Sequence, residues 1–207
     1  MAAPTTSTLF TPDEALDLLF SLNLISFEVK KALHPDVHVR TLRLLDSRYL
    51  SAFFYLQIRP LASTDYWRGH LRVLSVLTAA PDTGEERWRT HFNFLRNSGR
   101  TYYTVVIVDK ASDQIVGVGT VFLECKFQRG ISCVGHIEDI AVDEKQQGKK
   151  LGLRIIQALT YISENSGAYK TILNCSDKNI PFYEKCGYEK KENEMVHLDF
   201  SFLTLLF

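Results

Sequence analysis

The sequence predicts a mixed α/β (α+β) fold, a central mixed sheet flanked by helices, and three observations carry that prediction. Apolar patterning reads, in chain order, strand, two helices, three strands, helix, strand, helix, strand. The segment Leu151 to Ile162 is strongly amphipathic, with Leu151, Ile155, Leu159 and Ile162 on one stripe. It lies between two apolar strands, so it is a crossover and those strands run parallel. Third, two apolar runs joined by the turn Asp109 to Asp113 read as an antiparallel hairpin.

The elements follow in order. Thr11-Pro12-Asp13-Glu14 reads as a helix start, with Thr11 as cap, Pro12 at the first helical position and Glu14 completing a capping box. Residues 1–50 are taken as an N-terminal extension, partly helical, and residues 51–207 as the main domain. Phe53 to Ile58 is a strand ended by Pro60. Ser63 or Thr64 caps a helix carrying Trp67, Leu71, Leu74 and Leu77. A second helix from Glu85 carries Trp88, Phe92 and Leu95 and stops at Asn97-Ser98-Gly99. Tyr102 to Val108 and Ile115 to Phe127 form the hairpin. Gly130 interrupts, and Cys133 to Val142 is the next strand. After the crossover helix come a strand at Lys170 to Cys175, a short helix at Ile180 to Lys185, and strands near Tyr188 and at Met195 to Phe200.

Composition bounds the function. Acidic and basic residues balance at 24 each, which gives no support for nucleic acid as the main partner. No stretch approaches the ~18 apolar residues of a membrane span, and Met1 to Thr8 lacks a signal-peptide pattern. The expected location is cytoplasmic; the apolar tail Leu198 to Phe207 fits a pairing strand or a contact between copies, with peripheral contact on endomembranes as the weaker alternative. Cys125, Cys133, Cys175 and Cys186 form no C-x-x-C pair and no metal spacing, so four reduced, mostly buried thiols and no metal are expected.

The chemistry concentrates in the segment Asp139 to Gly152, which joins a strand to the crossover helix. A helix N-terminus offers unpaired N–H groups and the positive end of a dipole. Glycine lets the backbone approach an anion, and Lys149 and Lys150 add positive charge. Gln147, Gly148, Lys149, Lys150, Leu151 and Gly152 therefore form a candidate pyrophosphate site; alone, such a loop is more often an ordinary solvated one.

This loop resembles the acetyl-CoA signature of the GNAT superfamily, an Arg or Gln, two residues, Gly or Ala, one residue, then Gly or Ala. Lys150 departs from the small residue usual in the middle. Asn179-Ile180-Pro181-Phe182-Tyr183 with the turn Gly187-Tyr188 resembles the superfamily's second hallmark. The resemblance implies the GNAT acyl-CoA N-acyltransferase fold with splayed parallel strands, and acetyl-CoA as cosubstrate. It puts Ile140, Ala141 and Val142 on one side of the pantetheine arm and Asn174 to Ser176 on the other. A main-chain N–H near Ile140 then faces the thioester oxygen, a contact typically worth about 3 kcal/mol in the transition state. Tyr183 is implied to protonate the leaving thiolate, and Asn179 to hold the CoA arm. Direct attack by the amine is expected. Cys175 is far more plausibly a packing residue than a nucleophile.

Gly135 to Val142, Tyr169 to Cys175, Phe182 to Tyr188 and Val76-Leu77-Thr78 are similar to segments of the glucosamine-6-phosphate N-acetyltransferase family, over roughly residues 52–198. That resemblance implies acetyl transfer to glucosamine 6-phosphate, feeding UDP-N-acetylglucosamine synthesis, in an intertwined homodimer. It implies catalytic or acceptor roles for Glu138, Asp139 and Asn174. Further acceptor contacts fall on Thr78, on Lys126, Phe127, Gln128 and Arg129, and on Lys170 and Thr171. Lys126 and Arg129 suit a phosphate, the lysine as a point charge and the arginine as a planar fork. Asn174 stands where the family has an acidic residue, Arg129 where it has His, and His197 where a C-terminal basic residue is expected. The rival readings are a GNAT enzyme for a polyamine or peptide amine, and a non-catalytic CoA-binding module. A polyamine site should be strongly acidic, which Lys126 and Arg129 oppose. Retention of Tyr183 with Glu138-Asp139 opposes the module.

Overall fold

The computed structural model describes residues 10–33 and 56–196, in two units that divide after Leu173. The first unit holds a five-stranded sheet in sequential order: β1 (Leu56–Pro60), β2 (Tyr102–Asp109), β3 (Gln114–Cys125), β4 (Cys133–Val142) and β5 (Ala168–Leu173). β1 to β4 are antiparallel, and β4 and β5 are parallel, joined by the crossover helix the amphipathic stripe predicts. Helices α1 (Phe27–Leu33), α2 (His70–Leu74), α3 (Glu85–Arg96) and α4 (Leu151–Asn165) cover the sheet.

Period-two alternation divides the sheet between two cores. On one face, Gly117 and Gly119 lie under Ile155 and Leu159 of α4, with Ile107 beside Gly117. On the other, Val106, Val108, Val118 and Ala141 join Val73 of α2, Trp88 and Phe92 of α3, and Leu19 of the N-terminal segment in one apolar cluster. Residues 10–33 are thus packed into the first unit: Leu19, Ile25, Val29 and Leu33 are buried, and Leu18 bridges Ala62.

A buried charge network fixes the chain after β1. Arg59 donates to both carboxylate oxygens of Asp65, each at 2.7 Å, with 1% and 0% of the two side chains exposed. Arg68 reaches Asp65, Asp113 and Thr64. Both Asp65 oxygens take a second donor, Oδ2 from Ala62 N–H at 2.8 Å and Oδ1 from Arg68 at 3.3 Å; deleting one partner of such a buried pair typically costs about 3–5 kcal/mol. Trp88 Nε1 donates to His70 Nδ1 at 3.1 Å, and burial pushes the His70 pKa down to about 4, so the ring stays neutral as an acceptor.

Several sequence expectations need correction. The helix expected from Ser63 or Thr64 begins only at His70, because Gly69 is left-handed (φ 79). Thr64 accepts from Arg68 instead of capping, and Trp67 and Leu77 are 69% and 48% exposed. The Thr11 cap is replaced by a short 3-10 turn, Asp13–Ala15, preceded by Pro12 in extended geometry; Thr11 accepts from Arg68. The strand near Tyr188 is absent among the described residues, and the strand at Met195 to Phe200 lies mostly outside them. Cys125 and Cys133 are not free thiols: they are direct cross-strand partners, Cα–Cα 4.0 Å, and are disulfide-bonded. Cys175 is exposed and Cys186 half-buried, so neither is a core cysteine. Among the described residues no helix is long and apolar enough to cross a membrane.

Candidate active site

The site begins with a break in β4. Val118 pairs Ala141 and Thr120 pairs Glu138, so Gly119 alone on β3 faces both Asp139 and Ile140. β4 therefore carries one extra residue, a β-bulge, and Asp139 adopts φ 58 to accommodate it. Gly119 makes the bulge possible. A Cβ there would lie 2.5 Å from Ile155 Cγ2 and 2.6 Å from Ile140 Cδ1. Ile140 thus folds over the glycine, while Glu138 and Asp139 are exposed. Although Asp139 is solvent-accessible as a residue, its carboxyl is desolvated enough to be held above the ordinary aspartate value.

Beyond Ile137 the two parallel strands cease to pair. The β4–β5 register runs from Cys133↔Ala168 to Ile137↔Leu173, where β5 ends. β4 continues through Glu138 to Val142, with Ala141 and Val142 held by Val118 and Gly117 on its other side.

Past Val142 the chain enters the loop singled out in the sequence. Asp143 caps a 3-10 turn, Glu144–Gln146, by accepting from Lys145 N–H at 3.0 Å. Arg72 of α2 pairs with the same carboxylate and holds it below its usual range. Gln147 Nε2 donates to the Val142 carbonyl at 3.4 Å, and Lys149 Nζ to Gln146 Oε1 at 2.6 Å. Gly148 is left-handed (φ 80), with open space where a Cβ would be. Lys150 is also left-handed (φ 61, ψ 18) and precedes α4. The Arg154 N–H bonds the Lys150 carbonyl at 3.2 Å, so Leu151, Gly152 and Leu153 present their N–H groups ahead of the helical ladder. The first turn of α4 carries no acidic residue. Left-handed Gly148, two lysines and a helix N-terminus together suit a pyrophosphate.

The acceptor-side residues predicted from sequence cluster less tightly. Lys126 Nζ lies 2.9 Å from Glu124, which also meets His136 Nε2 at 3.0 Å. Lys126 and His136 hold the Glu124 carboxyl below its usual range. Phe127, Gln128 and Arg129 are exposed, with the Arg129 guanidinium 5.7 Å from the Tyr169 ring. Lys170 is exposed on β5. Thr171 donates to Ser163 Oγ at 2.8 Å, so its hydroxyl is engaged with α4. Thr78 is exposed, four residues past the end of α2 at Leu74.

Asn174, Asn179 and Tyr183 belong to the second unit and are described within it. Asn179 precedes α5 (Ile180–Lys185) without a side-chain capping bond, and Pro181 sits in its first turn. The Tyr183 ring packs edge-on against Phe182 at 5.0 Å, and its carbonyl accepts from Tyr188 N–H at 3.0 Å. The left-handed Gly187 (φ 92) turns the chain there. Asn174 is exposed.

The sequence expectations miss two features of this region. The Arg72–Asp143 pair spans 71 positions and leaves no local pattern. The disulfide had a signal: the strands read as Ile115 to Phe127 and Cys133 to Val142 place both cysteines beside one short connection.

The chain is similar to known proteins along most of its described length. Residues 78–204 match the Acetyltransferase (GNAT) domain family. Glucosamine 6-phosphate N-acetyltransferase 1 of Dictyostelium discoideum is 41% identical over 140 residues, 68% of this chain and 88% of that protein. The glucosamine 6-phosphate N-acetyltransferase of Candida albicans is 40% identical over 138 residues, covering 67% and 92%. The crystal structure of glucosamine-6-phosphate N-acetyltransferase from Arabidopsis thaliana superimposes with a TM-score of 0.68 at 35% identity, covering 69% of this chain and 97% of that one.

Proposed function

The chain belongs to the acetyltransferase (GNAT) family, among the glucosamine 6-phosphate N-acetyltransferases, and from that premise we propose that it moves an acetyl group from acetyl-CoA to the amine of glucosamine 6-phosphate. The product is N-acetylglucosamine 6-phosphate, a precursor for UDP-N-acetylglucosamine. The observation that carries the reading is the bulged strand β4, which runs from Glu138-Asp139 through the turn Glu144–Gln146 into the loop Gln147 to Gly152.

Acetyl-CoA supplies an activated thioester carbonyl. The loop binds its pyrophosphate through the N–H groups at the start of α4, with Lys149 and Lys150 adding charge. Ile140, Ala141 and Val142 orient the pantetheine arm, and the Ile140 N–H stabilises the developing oxyanion. Glu138 and Asp139 bind the amine and sugar hydroxyls, and the Asn174 carbonyl accepts the hydrogen bond from the amine as its proton passes on to water. Lys126, Arg129, Thr78 and Lys170 serve the phosphorylated sugar, with Phe127 and Gln128 shaping the same stretch. Tyr183 protonates the departing thiolate and Asn179 steadies the CoA arm. A neutral amine is already a good nucleophile, so the site needs positioning and proton transfer rather than covalent catalysis.

We further propose a homodimer, working in the cytoplasm. Resemblance to intertwined family members and the position of β5 at an edge of the described sheet support the dimer. The deciding assay measures CoA thiol release from acetyl-CoA with glucosamine 6-phosphate, glucosamine, spermidine and a peptide. The sugar phosphate should be turned over fastest. Equal rates with glucosamine would sink the phosphate contacts, and no turnover with any amine despite CoA binding would leave a non-catalytic module. Light scattering across a dilution series tests the dimer.

A further inference from the structure

We infer that the Cys125–Cys133 disulfide is a clamp positioning the acceptor loop, and that small-molecule thiols open it and weaken sugar-phosphate binding. The inference rests on the reading above that Lys126 to Arg129 meets the acceptor. Cys125 ends β3, Cys133 begins β4, and the bond closes residues 126–132 at their base.

Besides the Lys126–Glu124 pair at 2.9 Å and the Arg129–Tyr169 contact at 5.7 Å, few interactions hold this loop. Residues 127–131 are all exposed, Phe127 at 97% and Ile131 at 78%. Inside it, Lys126 N–H donates to the Ser132 carbonyl at 2.9 Å and Ser132 N–H to the Gln128 carbonyl at 3.3 Å. Ser132 Oγ donates to the Gly167 carbonyl at 3.1 Å. Yet three consecutive residues are left-handed: Arg129 (φ 55), Gly130 (φ 73) and Ile131 (φ 61). Glycine tolerates that region; a β-branched isoleucine does so only where the surroundings impose it. With no burial at the tip, covalent closure at the base is the strongest constraint on this backbone. Lys126 and Arg129, the two cations assigned to the phosphate, lie inside the closed segment.

The bond is reachable, since Cys125 is exposed and Cys133 half-buried. A thiolate attacks one sulfur, forming a mixed disulfide and releasing the other cysteine as a thiolate, which takes a proton. A second thiolate then attacks the first thiol's sulfur in the mixed disulfide, releasing the remaining cysteine as a thiolate that takes a proton and carrying both small thiols away as their disulfide. Two thiols are oxidised, and the protein gains two electrons and two protons as two cysteine thiols. Opening frees Arg129 to Ile131 to return to negative φ and disperses the two cations. The loop Gln147 to Gly152 is untouched.

The test compares protein prepared without reductant, the same protein after dithiothreitol, and the Cys125→Ser/Cys133→Ser double variant. Alkylation followed by intact-mass measurement should find two reactive cysteines, Cys175 and Cys186, before reduction and four after it. Reduction should raise the KM for glucosamine 6-phosphate by about three- to tenfold, with kcat and the acetyl-CoA KM within about twofold. The double variant should match the reduced enzyme and ignore thiols. Four alkylatable cysteines without reductant, or equal acceptor KM in all three forms, would overturn the clamp. If no form acetylates glucosamine 6-phosphate, the functional reading itself fails, and hydrogen exchange of residues 127–132 decides instead. Faster exchange on reduction sustains the clamp, and unchanged exchange removes it.

Discussion

Arg72 and Asp143, 71 positions apart, form an ion pair that ties α2 to the mouth of the loop Gln147 to Gly152. Arg72 also donates to the Ile115 carbonyl at 2.8 Å, and Asp143 N–H to the Val116 carbonyl at 2.9 Å, so both anchor on β3. Arg72 is half-exposed, whereas the Asp143 side chain is only 16% exposed. The pair joins the segment leading to Thr78 with the turn leading to Gln147. A double-mutant cycle of Arg72→Ala and Asp143→Asn should give a coupling of about 0.5–1.5 kcal/mol in unfolding free energy. Asp143→Asn keeps the cap on Lys145 N–H, so it should raise the acetyl-CoA KM less than Asp143→Ala does. Because Arg72 depresses the Asp143 pKa, this stabilisation is present above the ordinary aspartate value. It is lost as pH falls through the lower, folded-state value. Unfolding curves between pH 7 and pH 3 check the sign.

Gly119 sets the bulge, and Gly119→Ala is expected to break it. The added methyl would meet Ile155 Cγ2 and Ile140 Cδ1 inside contact distance, and Leu159 Cδ1 at 3.0 Å. Overpacking of this kind costs about 1–3 kcal/mol. Turnover should fall further than stability explains, because Ile140 is displaced. Adding Ile155→Val, which removes a single methyl from α4, should recover part of the stability, as read by denaturant unfolding. If it recovers turnover equally well, Ile140 is not the sensitive element.

Much of this arrangement was legible in the sequence, for reasons particular residues make plain. The spans Cys133–Val142, Glu85–Arg96 and Ile180–Lys185 are bounded by strong punctuation: Gly130 and Asp143, Gly84 and Asn97, Asn179 and Gly187. The stripe of α4 fixed the parallel pairing of β4 with β5. The failures were non-local. Nothing near Thr64 announces that its hydroxyl goes to Arg68, or that Asp65 is consumed by Arg59 at the end of β1. A helical pattern through Trp67 is therefore legible where a turn network stands. The bulge at Asp139 and the disulfide both depend on register, which appears only when two strands are laid side by side. For Glu138, Asp139 and the loop to Gly152, the sequence indicated the residues and the structure supplied their shared strand.

Asp139→Asn is expected to stabilise the fold while slowing the enzyme. Although Asp139 is exposed as a residue, partial desolvation holds its carboxyl above the ordinary value, so ionising it costs some stability. The folded state then binds the proton more tightly than the unfolded state. Stability declines as pH rises from the ordinary aspartate value through the folded-state value, and stays at the lower level above it. Asparagine removes that cost and tolerates the left-handed backbone at φ 58. The thermal midpoint of Asp139→Asn should exceed that of the parent at pH 7, and the advantage should shrink at pH 3.5. Turnover of glucosamine 6-phosphate should drop about 10- to 100-fold if the carboxylate handles the amine. Unchanged turnover would remove it from the site.

Lys150 pays a conformational cost that glycine would not. It holds φ 61 and ψ 18 just before α4, where the related signature has a small residue. Lys150→Ala keeps the left-handed penalty and removes the charge, whereas Lys150→Gly removes both. Lys150→Gly should therefore be more stable than Lys150→Ala by about 1 kcal/mol in denaturant unfolding. Any rise in acetyl-CoA KM shared by the two variants reports the lost charge. It should diminish with added salt, since an exposed lysine acts through screened attraction.

Tyr183 gives the sharpest separation of chemistry from binding. Its ring is braced by Phe182 and its carbonyl by Tyr188, so Tyr183→Phe keeps the packing of α5 and deletes one oxygen. If that oxygen protonates the leaving thiolate, kcat should fall about 10- to 1000-fold while the acetyl-CoA KM stays within a few-fold. Replacing acetyl-CoA by a thioester whose thiol has a lower pKa should narrow the gap between variant and parent, because a better leaving group needs less acid assistance. A gap that persists across leaving groups assigns the tyrosine to positioning, and an unaltered kcat leaves it a packing residue of the second unit.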